Sequence, residues 1–320
     1  MKLKQLLPII GIIILIYVLT TLDIEKIVTV FATINPGYAL LAFGSIIPIV
    51  LFANYQWQLI LKRHNIHVSF WYTLKNMFIG YFYGFITPGG LGGYTRALYL
   101  SDKTGEPVQK CFVNILILNT IDYIALLSLG VVGAVVLSSR FPSFLPIVLV
   151  LFLIMVTLFV VFLRKETGKK LFQKLVQSKL FNPFREKWST HIKALYEDLP
   201  TFRDLAFPYA ISLTGWIVWF SELYLLSKLF SIEVPYLYFI LMIAVANVIA
   251  SLPITIYGLG TREVALIALF SMFTVARENV VSLSLFWYIL IWVFPSIIGA
   301  AVTLVESRQT KPSRKKPTST

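Results

Sequence analysis

Apolar positions in this chain come in long unbroken runs, not in the alternations of half-buried elements. Runs at 5–22, 38–61, 111–138, 144–163, 206–230 and 280–304 approach or exceed the roughly 20 residues needed to cross a bilayer. Two further apolar stretches are interrupted. Residues 70–86 run into Thr87-Pro-Gly-Gly-Leu-Gly-Gly-Tyr-Thr-Arg96. Residues 236–251 run into Leu252-Pro-Ile-Thr-Ile-Tyr-Gly-Leu-Gly-Thr-Arg-Glu263, and 264–275 is apolar again. The pattern predicts an all-α polytopic membrane protein with about six full transmembrane helices and two re-entrant helical hairpins.

Loop charges give the expected orientation. Lys2 and Lys4 precede the first run, Lys62 and Arg63 follow the second, and the tail carries Arg308, Lys311, Arg314, Lys315 and Lys316. Arg164, Lys165, Lys169, Lys170, Lys174, Lys179, Arg185, Lys187, Lys193 and Arg203 crowd the loop 164–205. Lys and Arg excess marks cytoplasmic loops, so both termini and this loop are expected in the cytoplasm of a cell-membrane protein. Segment 169–180 reads either as a solvated connecting helix or as an amphipathic surface helix. With those ends fixed, 70–109 and 236–279 each begin and end on one side, from opposite faces. Two units, 38–138 and 206–304, then form an inverted repeat within a single membrane domain, 1–305, followed by a disordered basic tail, 306–320. The alternative is that one hairpin makes two full crossings.

Composition narrows the functional classes. The chain has 320 residues, 58% hydrophobic and 13% charged, against about 25% charged in soluble domains. Its net charge of +13 sits beside membrane spans, which points to anionic lipid headgroups and not to nucleic acid. One cysteine, Cys111, excludes an internal disulfide and reads as a small buried hydrophobe. His64, His67 and His191 fall in loops, and no partner completes a metal site. Gly90-Leu-Gly-Gly93 lacks the Gly-Lys-Ser/Thr of a nucleotide loop. With no catalytic set and no cofactor motif visible, the chain reads as a non-enzyme without cofactor. Trp57, Trp71, Trp216, Trp219, Trp287 and Trp292 read as interface anchors.

The two breaks carry the candidate chemistry. Backbone broken at membrane depth needs protein or water to satisfy it, and ionisable residues there are functional suspects. Glycine permits close approach of a ligand. A helix beginning after such a turn offers unsatisfied N–H groups and a positive dipole end. Arg96 and Arg262 each stand near such a start, and guanidinium grips phosphate oxygens bidentately. Thr87, Pro88, Gly89, Gly92 and Arg96 in one break, with Pro253, Gly258, Gly260, Arg262 and Glu263 in the other, are therefore candidate substrate-binding residues. Alternatively the arginines pair with buried acids to hold the hairpins. Adjacent helical residues do not face each other, so Glu263 is expected to cap its helix or carry a proton and not to neutralise Arg262. Asp122 and Glu222, inside spans, are candidates for an ion pair or a proton path. Asn54, Asn76, Asn114, Asn119 and Asn247 are candidates for hydrogen bonds between helices.

At these motifs the chain resembles the flippase-like integral membrane family typified by the transmembrane region of lysylphosphatidylglycerol synthase, which includes stand-alone prokaryotic membrane proteins. Thr87, Pro88, Gly89, Gly92 and Arg96 match the first family motif, and Gly93 stands where glutamate is usual. Leu252, Pro253, Gly258, Leu259, Gly260, Arg262 and Glu263 match the second, with Tyr257 in place of a glycine. The resemblance implies movement of an anionic or polyprenyl-phosphate-linked lipid between leaflets. It also implies a separate synthase or glycosyltransferase as partner. The alternative is a non-transporting membrane anchor for such an enzyme, with the basic loop and tail as its docking surface.

Overall fold

A computed structural model describes residues 24–32, 34–164, 166–170, 174, 199–251 and 258–309. The run 5–22, most of the basic loop, the segment 169–180 beyond 170 and 174, Pro253 and the tail beyond 309 lie outside these residues. Among the described residues there is no strand, and five helical segments are long and apolar enough to cross a membrane: 36–63, 108–136, 144–163, 202–230 and 277–306. They coincide with five of the six runs expected from the sequence. The protein is an all-α polytopic membrane protein.

Helix α1 (Ile24–Ala32) is short and packs against residues 277–288 of the last span. Helix α2 (Pro36–Arg63) starts where proline is tolerated, at its first position. Asn35 accepts from the Gly37 N–H at 2.8 Å and caps it. The Asn35-Pro36-Gly37 triplet is thus the helix start. Helix α3 (Phe70–Phe85) is capped by Ser69, which accepts from the Tyr72 N–H. A 3₁₀ segment, Pro88–Thr95, then leads into α4 (Arg96–Thr104), which Gly105 ends at φ 74°. Helix α5 (Val108–Val136) and the peripheral α6 (Phe144–Leu163) complete the first half.

In the second half α7 (Phe202–Ser227) begins with Thr201 and Asp204 bonded reciprocally. Helix α8 (Tyr236–Ala250) and α9 (Thr261–Phe270) flank the second break. The last span is interrupted. Helix α10 (Arg277–Tyr288) passes through a π turn at Ile289–Val293 into α11 (Phe294–Gln309). A π turn widens the helix by one residue and clusters at functional sites.

The packing exchanges arms between halves. Helix α3 rests chiefly on α11, and α8 rests chiefly on α5. Helix α2 packs against α7, and each short second arm lies on the following span, α4 on α5 and α9 on α10. Glycine makes both exchanged contacts possible. A Cβ on Gly299 of α11 would lie 1.9 Å from the Phe78 carbonyl oxygen of α3. A Cβ on Gly133 of α5 would lie 2.7 Å from the Leu241 carbonyl oxygen of α8. Without a hydrophobic force between helices in lipid, such backbone approach by small residues is what holds them.

Candidate functional site

The first break is itself helical, a 3₁₀ segment over Pro88–Thr95. The Thr87 hydroxyl donates to the Tyr83 carbonyl at 2.8 Å and accepts from the Gly92 N–H at 2.6 Å, tying the 3₁₀ segment to the end of α3. A Cβ on Gly92 would meet the Tyr83 oxygen at 2.0 Å, so this glycine admits the chain's own backbone. Gly90 takes φ 71°. Pro88 is the first residue of the segment and Gly89 the second.

Arg96 opens α4. Its backbone N–H is satisfied by Gly93 and Tyr94 carbonyls, so this start is closed by 3₁₀ bonding. The side chain passes Gly80, where a Cβ would lie 2.5 Å from Arg96 Cδ. Its Nε donates to the Gly93 carbonyl at 3.0 Å, and its guanidinium carbon stands 5.2 Å from the centre of the Trp57 ring. Trp57 is fully buried, and its indole N–H donates to Asn114 Oδ1 at 3.0 Å. The Asn114 amide also donates to the Ile60 carbonyl and sits 2.7 Å from His64 Nδ1. His64, read as a loop residue, is therefore buried at the end of α2, because Asn114 supplies its polar partner. Asn76 donates to the Arg96 carbonyl at 3.0 Å and Asn54 to the Phe70 carbonyl at 2.9 Å, both between elements. Asn247 instead bonds to Ile243 of its own helix.

Across the second break Gly258 and Gly260 adopt φ 77° and 85°, a region glycine enters without penalty. A Cβ on Gly258 would lie 2.4 Å from Ala250 Cβ, so here too the chain packs on itself. Arg262 and Glu263 follow, 1% and 0% exposed. Glu263 Oε2 accepts from the Gly260 N–H at 2.5 Å, the carboxylate half of a capping box. Oε1 accepts from the Ser284 hydroxyl at 2.5 Å. Arg262 Nε donates to Ser284 Oγ at 3.0 Å, and Nη2 to the Ser284 carbonyl at 3.4 Å.

Arg262 Nη2 also lies 3.3 Å from Glu263 Oε1, an ion pair. The expectation that these neighbours would not meet is thus corrected. The capping carboxylate folds back over the helix start, the guanidinium reaches around, and Ser284 of α10 gives both a common partner. The first-turn donor that could have met an anion is taken by Glu263. The guanidinium lies 4.9 Å from the Trp287 ring centre and 5.7 Å from that of Tyr288.

Each break is therefore followed by an arginine stacked on a buried tryptophan, Arg96 on Trp57 and Arg262 on Trp287. Trp57 and Trp287 are 0% and 1% exposed, which corrects their reading as interface anchors: guanidinium stacking and packing draw them inward. Trp71, the second residue of α3, is 73% exposed.

Asp122 and Glu222, deep within their spans, have no cation partner among the described residues, whereas Asp204 and Glu306 at span ends pair with Arg63 and Lys75. Asp122 Oδ1 accepts from the Ser212 hydroxyl at 3.0 Å, and Ser212 accepts from Gln56 at 2.6 Å. Trp216 donates to the Asp122 carbonyl at 3.1 Å. Glu222 Oε1 accepts from the Ser45 hydroxyl, while Oε2 is buried without a partner. Hydroxyl groups of neighbouring helices thus serve these carboxyls. Cys111 is buried, as a small hydrophobe.

A family model described as the lysylphosphatidylglycerol synthase TM region matches residues 6–299. The chain belongs to this family. It is 24% identical to a UPF0104 membrane protein of Methanocaldococcus jannaschii, over 97% of this chain and 98% of that one. It is equally identical to a UPF0104 membrane protein of Pyrococcus horikoshii over 94% of this chain and 96% of the other. A third, from Methanothermobacter thermautotrophicus, is 24% identical over 86% and 85%. Both motifs fall inside the family match, and so do the tryptophans beneath their arginines.

Proposed function

We propose that the protein moves an anionic or phosphate-linked lipid between bilayer leaflets. In this reading Arg96 and Arg262 attract the headgroup at two broken helices that enter the membrane from opposite faces. The carrying observation is the recurrence of one device: a Gly/Pro break, a short helix, and an arginine laid on a buried tryptophan. Stacking leaves guanidinium edges able to donate while the ring stabilises the charge, by about 2 kcal/mol when desolvated. The exchanged packing of α3 on α11 and α8 on α5 supports an inverted repeat of 38–138 and 206–304 in one membrane domain. Two-fold symmetry would relate those contacts. Positive-inside bias supports cytoplasmic termini in a cell membrane.

Glu263 holds the second hairpin's cap and part of the Arg262 charge. Thr87, Gly92, Gly258 and Gly260 shape the breaks, and Gly89, Pro88 and Pro253 complete the motifs. Asp122 and Glu222, whose carboxyls accept from the Ser212 and Ser45 hydroxyls, are candidate proton carriers. The protein acts without catalysis or cofactor, and a separate synthase or glycosyltransferase makes its lipid.

The test is headgroup movement in vesicles carrying the purified full chain. Reporter-labelled phosphatidylglycerol in the inner leaflet should become accessible to a membrane-impermeant quencher, faster than labelled phosphatidylcholine. Protein that is folded but moves no anionic lipid would refute the reading. It would favour the anchor alternative, which predicts co-purification with a soluble transferase that is lost when 308–320 is deleted.

A further inference from the structure

The two arginine–tryptophan pairs differ in one respect. The Trp57 indole N–H donates to Asn114 at 3.0 Å. The Trp287 indole N–H is buried, on a residue 1% exposed, with no hydrogen-bond partner. Leaving a buried donor unmade costs about 1–3 kcal/mol, and such a group in a folded protein calls for an explanation. Beside it, Arg262 spends Nε and Nη2 on Ser284 and Glu263, while Nη1 has no acceptor among the described residues. Two sets of donors without acceptors therefore adjoin one another, one charged and one neutral, with the guanidinium carbon 4.9 Å from the indole centre. Both residues stand next to interruptions of regular helix. Arg262 follows the Gly258–Gly260 turn, and Trp287 lies two residues before the π turn at Ile289–Val293.

We infer that Trp287 is a ligand-binding residue, whose indole N–H donates to an oxygen of a phosphate-bearing lipid headgroup held by Arg262 Nη1. This rests on the lipid-moving reading above and adds a recognition group that neither motif contains. The ligand must bring acceptors, because every unmet group here is a donor. A phosphate ester brings several around one centre and a negative charge that complements the arginine. No water reaches the indole in this arrangement, so the headgroup meets it when the site opens. Trp57 makes no matching demand, since Asn114 already accepts from its indole N–H; the unmet groups near Arg96 are Thr95 Oγ1 and Asn76 Oδ1. The two arginine–tryptophan pairs are thus chemically unequal, with the unmet indole donor in the second half.

The experiment uses full-length protein in detergent micelles, labelled with ¹⁵N at tryptophan indoles. Trp287→Phe assigns the Trp287 signal and removes the N–H while keeping an aromatic ring beneath Arg262. Adding short-chain phosphatidylglycerol should move that signal downfield, and short-chain phosphatidylcholine should move it less. Trp287→Phe, compared at matched amounts of folded protein, should bind phosphatidylglycerol at least about tenfold more weakly, the loss expected for a hydrogen bond to a charged acceptor. If Trp287→Phe binds like the wild type, or the wild-type signal stays still while phosphatidylglycerol binds, the inference is overturned. Loss of binding in Arg262→Gln alone would then leave the lipid-moving reading standing. Absence of phosphatidylglycerol binding by folded wild type would overturn both. Should Trp287→Phe fail to fold, the wild-type indole shift decides alone, since the Trp287 signal is then assigned by selective broadening from a spin label at Ile289.

Discussion

Gly299 of α11 lies against the Phe78 carbonyl of α3 so closely that a side-chain carbon would sit 1.9 Å from the oxygen. Phe78 belongs to the first half and Gly299 to the second, so this contact joins the halves through backbone. Gly299→Ala should separate α3 from α11 and cost about 1–3 kcal/mol, the range for overpacking. Gly133→Ala, aimed at the Leu241 carbonyl at 2.7 Å, should act in the same direction on α8 and α5. Gly44→Ala is the control. Nothing lies within 4 Å of its Cβ, and alanine in a helix interior gains about 0.5–1 kcal/mol over glycine. Thermal unfolding in detergent should rank Gly44→Ala above wild type and Gly299→Ala lowest.

Glu263→Ala should destabilise strongly. It removes the cap on the Gly260 N–H, the Ser284 acceptor and the partner of a fully buried arginine. Breaking a buried ion pair on one side costs about 3–5 kcal/mol. Glu263→Gln keeps one acceptor oxygen where Glu263 uses two, so it can serve Gly260 or Ser284 but not both, and should fall between. A thermal midpoint series separates these variants, and equal midpoints would deny Glu263 its structural part.

Arg262→Ala should abolish labelled-phosphatidylglycerol movement, whereas Arg277→Ala should leave it nearly unchanged. Arg277 is exposed at the first position of α10, beyond the second break. The comparison is made at matched amounts of folded protein, because Arg262 also binds Ser284. Equal losses would argue against an anion site at the break.

Asn114→Leu strands the Trp57 indole N–H and removes the Asn114 contacts to His64 Nδ1 and the Ile60 carbonyl. Each buried loss costs about 1–3 kcal/mol. The variant should unfold earlier than Asn247→Leu, since Asn247 bonds only within its own helix.

Much of this architecture is legible in the residues. Long apolar runs announce five described spans within a few residues, because bilayer thickness sets helix length. Gly/Pro clusters locate both breaks, and Arg96 and Arg262 fall at helix starts as read. What escapes the sequence is which distant groups meet. Nothing near Trp57 in the chain announces Arg96, nor does anything near Trp287 announce Arg262. His64 reads as a loop residue until Asn114, fifty positions on, is seen beside it. The rule that sequential helical residues diverge fails at Glu263, because a capping side chain turns back along the axis. The last span reads as one helix, and its π turn has no compositional mark.

The central claim is that the interrupted helices at 70–104 and 236–270 dip into the bilayer from opposite sides. Its most direct test is sided labelling. Cys111→Ser makes the chain cysteine-free, and single cysteines are then placed at the exposed positions Ser69, Asp102, Glu233 and Arg277. In sealed vesicles of known orientation, a membrane-impermeant maleimide should reach Ser69→Cys and Asp102→Cys from one side only, and Glu233→Cys and Arg277→Cys from the other only. Labelling of Ser69→Cys and Asp102→Cys from opposite sides, or of all four from one side, would contradict the account.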